Sequence, residues 1–326
     1  MRRKFFGLAL STLLLALYFS VEAQQPTKVP RIGYLGGVSL SANTARHDAF
    51  RQGLRELHYV EGKNIVIDWR SADGKLERLP ALAAEMVRLQ LDVIVTSGAT
   101  ATRAVKEATK TIPIVMTNDP DPVGDGIIAS LARPGGNITG LSALAPELNG
   151  KRLEVLREVV PKLSRLAVLR VSTSLAGRPV RELELAAKAF GVTLQYLDVL
   201  DSKNIETTFQ AVSKGRADAV LVLAGGIIGA QRTKIADLAV KNRLPVIYHE
   251  PRYVEAGGLM SYGVSILNLD RRAATYVDKI LKGVKPGDIP VEQPTRFEFI
   301  INLKAAKQIG LTIPPNVLAR ADRVIK

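Results

Sequence analysis

The strongest constraint on the fold is a regular alternation of short apolar runs with longer amphipathic segments, which begins near residue 30. Runs such as DVIVT and PIVM are rich in β-branched residues, as is typical of parallel strands buried on both faces. The strand-like runs of the first half are Ile32–Leu35, Ile65–Trp69, Asp92–Thr96 and Ile114–Met116, and the helix-like segments are Asn43–Leu57, Leu76–Leu89, Ala99–Ala108 and Val123–Leu131. This order predicts an α/β fold with a parallel sheet and helices on both faces.

The same alternation starts again after residues 132–142, ARPGGNITGLS, where a proline and three glycines interrupt the pattern. The strand-like runs of the second half are Leu166–Val171, Thr193–Val199, Ala219–Leu223 and Val246–Tyr248, and the helix-like segments are Leu148–Val159, Pro179–Phe190, Ile205–Lys214 and Thr233–Lys241. The sequences of the two halves do not repeat each other, so their similarity lies in the order of the elements. The chain is therefore predicted to form two doubly wound parallel-sheet lobes.

Glycine and proline also mark where the chain passes between these lobes. Residues 257–263, GGLMSYG, precede a long amphipathic helix at Leu267–Leu281, and three prolines between residues 286 and 294 then extend the connector. Together with residues 132–142, these stretches predict a hinge of three crossings. Ligands of doubly wound sheets bind beyond the carboxyl ends of the strands, and we therefore expect any binding site to lie in a cleft between the lobes.

The first 23 residues have the order of a secretory signal peptide. Three basic residues, Arg2 to Lys4, precede the uncharged apolar stretch Phe5–Val21, and the sequence Val-Glu-Ala ends at Ala23. We expect cleavage after Ala23 and export to the periplasm. A membrane anchor is the alternative, but the stretch is near the ~17-residue lower limit for a membrane span. No cysteine stands at the cleavage point, so a lipid anchor is not expected.

The charge of the chain, +14 from 45 basic and 31 acidic residues, raises the question of an anionic partner. Its lysines and arginines are scattered among acidic residues and form no run of four, and few aromatic residues lie beside them. This pattern indicates a solvated surface, with an acidic partner or a lipid surface as alternatives, and we expect no nucleic-acid partner. The absence of cysteine excludes disulfides, thiolate metal sites and cysteine nucleophiles.

The loop after Met116, TNDPDPVG, ends an apolar run with two Asp-Pro pairs. A residue before proline is driven to extended geometry, so Asp119 and Asp121 should continue outward from the strand. Pro122 suits the first turn of the predicted helix Val123–Leu131, and Asp121 suits its N-cap. Capping alone would explain Asp121. The second interpretation places Asn118 and both carboxylates at the cleft mouth, where a carboxylate could receive a ligand amine.

The companion loop follows Thr96, and there Ser97 and Gly98 lead into a helix. A helix N-terminus offers free N–H groups and a partial positive charge, which suits a carboxylate or a phosphate. The alternative is that Ser97 only caps its helix. A binding site for an anion beside a binding site for an amine would fit a zwitterion such as an amino acid. The candidate ligand-binding residues are Tyr34, Thr96, Ser97, Gly98, Thr117, Asn118, Asp119, Asp121, Ser172, Gly225, His249 and Tyr262.

The tyrosines at positions 34, 248 and 262 would suit an aromatic or planar solute, although each fits a core position equally well.

Sequence motifs that would indicate catalysis are weak. His47 and His58 have no metal-like pairing, and His249, beside Glu250 at a strand end, suits a structural or ligand-contacting role. The sequence contains no serine elbow, P-loop or histidine metal motif, and LVLAGGIIGAQ at 221–231 does not match G-x-G-x-x-G. We therefore expect no catalytic residue, no metal and no cofactor.

Five segments together resemble a family of bacterial ABC transporter substrate-binding proteins, the family that includes tryptophan- and tyrosine-binding exported proteins. They are RQGLRELHYVEGKNIVIDWR (51–70), ERLPALAAEMVRLQLDVIVTSG (77–98), TKTIPIVMTNDPDPVG (109–124), SLARPGGNITGLS (130–142) and VEAGGLMSYG (254–263). The resemblance runs from about residue 29 to the C-terminus. It implies a type I periplasmic-binding fold and a hinge-closing receptor that delivers a small solute to an ABC permease of the inner membrane.

By position, the resemblance implies an N-terminal lobe of residues 29–141 plus 264–288 and a C-terminal lobe of residues 142–263 plus 289–326. It also implies that the Ser97–Gly98 loop, the 118–121 loop and Tyr262 line the cleft. The chain departs from the family on the second lobe. Where members often have Asn-Pro after Val171 it has Ser172, and where many have an Asp-Pro loop it has Gly225.

The leading hypothesis is an exported, monomeric solute receptor that closes on an amino-acid-like or aromatic solute. An exported α/β enzyme that uses Asp119 or Asp121 as a base is a rival from another class, and turnover of the solute would distinguish it. A solute sensor for a membrane receptor is a third hypothesis. Export and the lack of an N-terminal helix-turn-helix exclude a repressor of similar fold.

Overall fold

The computed structural model describes residues 28–143, 145–171, 178–199 and 204–326. The expected signal peptide and Ser172 lie outside these ranges. The described chain forms two parallel-sheet lobes, which confirms the predicted fold class. None of its described helices combines the length and the hydropathy of a membrane span.

The first lobe contains a five-stranded sheet in the order β2-β1-β3-β4-β5, and every pair in it is parallel. Its strands are β1 (Arg31–Gly36), β2 (Val66–Ser71), β3 (Val93–Ser97), β4 (Ile114–Asp119) and β5 (Ile138–Ser142), and its first helices are α1 (Thr44–Glu56), α2 (Leu79–Arg88) and α3 (Ala99–Ala108). The strands are Val- and Ile-rich because both faces of the sheet are covered, one by α1 and the other by α2 and α3.

The second lobe contains a seven-stranded sheet in the order β12-β11-β10-β9-β8-β6-β7, in which only the β10–β11 pair is antiparallel. Its strands are β6 (Arg165–Val171), β7 (Thr193–Val199), β8 (Ala219–Val222), β9 (Val246–Tyr248), β10 (Met260–Gly263), β11 (Glu298–Asn302) and β12 (Arg323–Ile325). Its helices are α4 (Ala145–Val159), α5 (Arg178–Phe190), α6 (Ile205–Lys214), α7 (Gly226–Ala230), α8 (Arg232–Lys241), α9 (Arg252–Glu255), α11 (Leu303–Ile309) and α12 (Pro315–Leu318). Apolar clusters fill both faces of this sheet.

The chain passes between the lobes three times. It leaves the first sheet after β5 and returns after β10 into α10 (Ile266–Leu281), which packs against α1. The third crossing was expected after residue 288. In the structure Ile289 and Val291 are buried in the apolar clusters of the first lobe, and Glu292 pairs with the edge of β5. The third crossing therefore begins after Glu292.

The predicted helix Val123–Leu131 is wrong, because residues 121–131 form a series of turns in the structure. Gly124 and Gly126 fall in its first turn, and Gly126 has a φ of 66° that only glycine adopts easily. Two glycines so close together remove the helix propensity that the pattern of apolar residues indicated. Asp121 consequently closes a turn rather than a helix, since its Oδ1 accepts a hydrogen bond from the Gly124 N–H at 3.1 Å.

Candidate ligand-binding site

A cavity of about 180 Å³ lies between the two lobes, and loops of both lobes line it. Its volume is below the ~300 Å³ at which sites for drug-sized molecules begin, so it suits a small solute. Apolar side chains from both lobes form much of the wall; they are Val38, Leu76, Leu79, Val171, Val264 and Ile266. Polar groups enter from the ends of β3, β4 and β9, as the position of a site in doubly wound sheets predicts.

The loop between β3 and α3 contributes the start of a helix to the cavity. Ser97 and Gly98 line the wall, followed by Ala99 and Thr100, whose N–H groups lie in the first turn of α3. Gly98 has a φ of 87°, so a side chain at this position would strain the loop. Thr96 does not line the cavity, because its side chain is fully buried and its hydroxyl lies 2.9 Å from that of Thr102.

Side chains of the loop after β4 point alternately to the cavity and to the protein interior, as side chains on an extended backbone do. Asn118 and Pro120 line the cavity, whereas Thr117 and Asp119 are fully buried beneath it. The Thr117 hydroxyl donates a hydrogen bond to Asn118 Oδ1 at 2.9 Å. Of the four candidate residues in this loop, the structure therefore brings only Asn118 to the solute space, and contacts through the other three stay predictions.

Two of the candidate carboxylates, Asp119 and Asp121, lie behind this wall. Asp119 Oδ1 accepts a long hydrogen bond of 3.3 Å from the Asp121 N–H, and its Oδ2 has no partner among the described residues. Burial, reinforced by the neighbouring charge of Asp125, raises the pKa of Asp119 to about 7. Asp121 is also buried and binds the Gly124 N–H. Neither carboxylate is among the residues that line the cavity.

Arg46 of α1 lines the cavity and was not anticipated from the sequence. Its Nε and Nη2 donate to the two carboxylate oxygens of Asp270 on α10, at 2.6 Å and 2.9 Å. Nη2 also donates to Asn118 Oδ1 at 3.1 Å, which fixes that side chain at the cavity wall.

Tyr34 lies behind this ion pair rather than in the cavity. Its hydroxyl donates to Asp270 Oδ1 at 3.2 Å, and its ring packs 5.1 Å from that of His47 and 5.0 Å from that of Trp69. Burial raises the pKa of Tyr34. The sequence allowed Tyr34 either a cleft position or a core position, and in the structure its side chain is buried in the core. Tyr248 is also fully buried, and its ring stacks on that of Tyr253 with 4.6 Å between the centroids.

The second lobe contributes His249, Glu250 and Arg252 from the end of β9 and the start of α9. Glu250 is buried and accepts two hydrogen bonds from Arg252, at 3.1 Å and 3.0 Å. Burial lowers the pKa of His249 to about 4, so its imidazole is neutral at pH 7. The Nδ1 atom of His249 has no hydrogen-bond partner among the described residues. His249 therefore lines the cavity, and its contact with a solute stays a prediction.

Gly225 and Tyr262 complete the candidate residues of the second lobe. Gly225 lines the cavity. A β-carbon at this position would come within 2.6 Å of Val171 Cγ2, so the absence of a side chain lets the Gly225 loop pack against the end of β6 in the same lobe. The Tyr262 side chain does not line the cavity. It packs against apolar clusters of both lobes, with its ring 6.2 Å from that of Phe297.

Arg152 of α4 is the second basic residue that the sequence analysis missed. It lines the cavity and is only 3% exposed. Burial without an ion-pair partner among the described residues lowers its pKa to about 9. In the sequence Arg152 follows Lys151, and two adjacent basic residues are typical of an exposed surface. Its spacing carried the contrary signal, because position 152 falls on the helical face that the apolar positions 148, 155, 156 and 159 form.

The arrangement can hold a small polar solute between an apolar wall, a helix N-terminus and several fixed charges. In the described part of the chain, no group of three or more histidine and acidic side chains is placed to bind a metal ion.

Comparisons with known proteins place this geometry in context. The sequence model of a family described as ABC transporter substrate binding protein matches residues 32–325. A tyrosine-binding protein of Clostridioides difficile (strain R20291) is 28% identical over 265 residues, which cover 80% of this chain and 75% of that protein. The structure of an ABC domain from Streptococcus pneumonia in complex with L-Trp is 26% identical and superposes with a TM-score of 0.82, covering 91% of this chain and 99% of that one.

A third comparison bears on the arrangement of the lobes. The ligand-free, open structure of a substrate-binding protein with adhesive properties from Clostridium difficile is 25% identical and covers 91% of this chain and 99% of its own. Its TM-score is only 0.65. At nearly equal identity and coverage, the chain thus superposes better on the L-Trp complex than on the open structure.

Proposed function

Because the chain belongs to the family of ABC transporter substrate-binding proteins, we propose that it binds a small amino-acid-like or aromatic solute in the cavity between its lobes and presents the closed form to an ABC permease. The observation that carries the proposal is the cavity itself, to which each lobe contributes loops at the carboxyl ends of its strands. A solute held by both lobes binds the closed arrangement better than the open one, and therefore shifts the population toward closure.

Two observations support an amino-acid-like or aromatic solute. The relatives include a tyrosine-binding protein and a complex with L-Trp. In this chain the first turn of α3 offers N–H groups to a carboxylate, and the apolar wall offers a surface to an aromatic or aliphatic side chain. The proposal includes export through the N-terminal signal, cleavage after Ala23, action in the periplasm and a monomeric state.

The position of the two candidate bases does not favour an enzymatic role. Asp119 and Asp121, the carboxylates considered as bases, are 0% and 5% exposed and lie behind the wall. A general base must reach the proton that it abstracts, directly or through one water. The placement of these carboxylates therefore supports binding over catalysis.

The test is a thermal-shift and titration screen of the refolded chain from Gln24 onward, since refolding removes any solute that the protein carries. The panel contains L-tryptophan, L-tyrosine, other amino acids, nucleosides, organic acids and aromatic carboxylates. A solute at a hundred times its Kd stabilises the folded state by about 2.7 kcal/mol, which raises the melting temperature by several degrees. We expect one solute per chain, recovered unchanged by mass spectrometry.

Ser97→Ala tests the location of the site, because Ser97 lines the cavity. We expect the variant to bind the solute more weakly, while Ser130→Ala, on an exposed loop, binds it as the wild type does. Consumption of the solute would contradict the receptor role. Equal affinity in both variants would contradict this placement of the site, and the absence of any binding would contradict the proposed solute class.

A further inference from the structure

Among the described residues that line the cavity, the charged side chains are paired with one exception. Arg46 is neutralised by Asp270, which is fully buried and accepts hydrogen bonds from both Nε and Nη2. Glu250 is neutralised by Arg252 in a bidentate pair. These two pairs add no net charge to the solute space.

Arg152 is the exception. It lies in α4 with its Nε donating to the Tyr262 carbonyl at 2.7 Å and its Nη1 donating to Asn149 Oδ1 at 2.6 Å. Both acceptors are neutral, and no carboxylate of the described residues forms an ion pair with the guanidinium. The third nitrogen, Nη2, has no hydrogen-bond partner among the described residues. Two nitrogens thus fix the orientation of the guanidinium, and the third is left for another group.

The backbone makes room for Arg152 at the second crossing. A β-carbon on Gly263 would lie 3.3 Å from Nη2 of Arg152 and 1.9 Å from the His249 carbonyl oxygen. A glycine at this position therefore lets the guanidinium approach the crossing that joins β10 to α10. His249, which also lines the cavity, is neutral at pH 7 and supplies no counter-charge.

A buried charge is costly unless it is paired, and a protein interior compensates it with an opposite charge and hydrogen bonds. Because the described residues provide no such charge for Arg152, an anionic group of a bound solute would compensate it. We propose that Arg152 binds an anionic group of the solute, and that the cavity therefore accepts carboxylates with net charge −1 in preference to zwitterions and to amines. This inference rests on the proposed function and narrows its solute class.

The preference follows from the charge that remains after binding. A carboxylate without an amine would neutralise the charge of Arg152, the one unpaired charge among the described lining residues. A zwitterion would bring an ammonium as well, and Glu250, the one acidic residue that lines the cavity in the described part of the chain, already pairs with Arg252. An amine without a carboxylate would add a second uncompensated cation beside Arg152. The expected order of affinity is acid, then amino acid, then amine.

Two series of compounds test this order by isothermal titration at pH 7.5 in a buffer without phosphate or carboxylate. All members of a series carry the same ring system and differ in their charged groups. The indole series is indole-3-propionate, L-tryptophan and tryptamine, and the phenol series is 3-(4-hydroxyphenyl)propionate, L-tyrosine and tyramine. We expect the acid to bind most tightly in the series that fits the cavity and the amine not to bind. An amino acid that binds more tightly than its acid, or an amine of comparable affinity, would overturn the preference.

Arg152→Met removes the charge but keeps an unbranched apolar side chain. Removing one partner of a buried charge pair should weaken binding of the acid by about 30-fold or more. Lys151→Met is the matched control, because it removes the same charge from the neighbouring, partly exposed position, where Lys151 pairs with Glu154. We expect this control to bind within about twofold of the wild type, since an exposed ion pair contributes little.

The melting temperature of the ligand-free variants separates solute binding from a purely structural role. If Arg152 serves the solute, Arg152→Met should melt no lower than the wild type, because an unpaired buried charge has been removed. A large drop in melting temperature with unchanged affinity would overturn the assignment. Should this variant fail to fold, Arg152→Lys keeps the charge and should keep the preference for acids, and loss of that preference would contradict the proposal. A wild type that binds none of the six compounds would overturn the proposed solute class together with this inference.

Discussion

Asp119 illustrates, at the scale of a residue, how a carboxylate can end a strand beside a cavity and still not belong to its wall. Asn118 and Pro120 face the solute space, and the intervening side chain points into the interior, where it is fully buried. Burial in turn favours the protonated form, and for this reason the pKa of Asp119 is raised to about 7.

This raised pKa predicts a pH dependence of stability. Below the ordinary aspartate pKa of about 4, Asp119 is protonated in the folded and unfolded states and adds no difference between them. As the pH rises to about 7 the unfolded chain loses the proton first, so the free energy of unfolding falls, and above pH 7 the full cost remains. Asp119→Asn should therefore be more stable than the wild type at pH 8, on the order of 1–4 kcal/mol, and nearly equal to it at pH 4.

Urea denaturation of both proteins at the two pH values measures this effect. Asp48→Asn is the control, because Asp48 is largely exposed and its replacement should change stability little at either pH. A difference between Asp119→Asn and the wild type that is the same at pH 4 and pH 8 would contradict this prediction, because it would show that folding does not shift the pKa of Asp119.

At the scale of elements, sequence patterns were most reliable where periodicity and burial agree. The helix predicted at Ala99–Ala108 and the buried strand predicted at Val246–Tyr248 have the same bounds in the structure. The helix predicted at Val123–Leu131 does not form, because the apolar spacing outweighed Gly124 and Gly126 in the sequence argument. Periodicity reports which face of an element is apolar, but it does not report whether the backbone can continue as a helix.

The candidate site was predictable in position but not in its charges. The loops after β3, β4 and β9 reach the cavity because strand ends meet at one edge of a parallel sheet, and Ser97, Asn118 and His249 follow from that rule. Arg46 and Arg152 come from helix faces, and they depend on tertiary partners, Asp270 and the Tyr262 carbonyl, that lie more than a hundred residues away. No local pattern encodes such pairs.

The end of β10 gives a prediction at the element scale. A β-carbon on Gly263 would lie 1.9 Å from the His249 carbonyl oxygen, and a backbone atom cannot yield as a flexible side chain can. Gly263→Ala should therefore destabilise the protein by about 1–3 kcal/mol, the usual cost of overpacking. Denaturant unfolding measures the loss, with Gly150→Ala as control, because the nearest atom to a β-carbon there is 3.7 Å away and alanine favours the helix α4. Equal stability of the two variants would mean that the second crossing can shift without cost.

At the scale of the whole molecule, the structure resembles the L-Trp complex more than the ligand-free open relative. If this arrangement is the closed form, the solute-free protein in solution should populate a more open one. Small-angle X-ray scattering of the refolded chain should then show a radius of gyration that falls when a binding solute is added, while a panel member that does not bind leaves it unchanged. A radius of gyration that stays constant at saturation would contradict closure by the solute.

The first and third crossings leave the first lobe side by side. Leu141 and Glu292 form a parallel bridge, the Ser142 N–H donates to the Glu292 carbonyl at 3.0 Å, and the Glu292 N–H donates to the Gly140 carbonyl at 3.0 Å. These hydrogen bonds join the two crossings to each other at the point where they leave the first lobe. We therefore expect the two segments to move together as one strip when the lobes rotate, which restricts sliding of one crossing past the other.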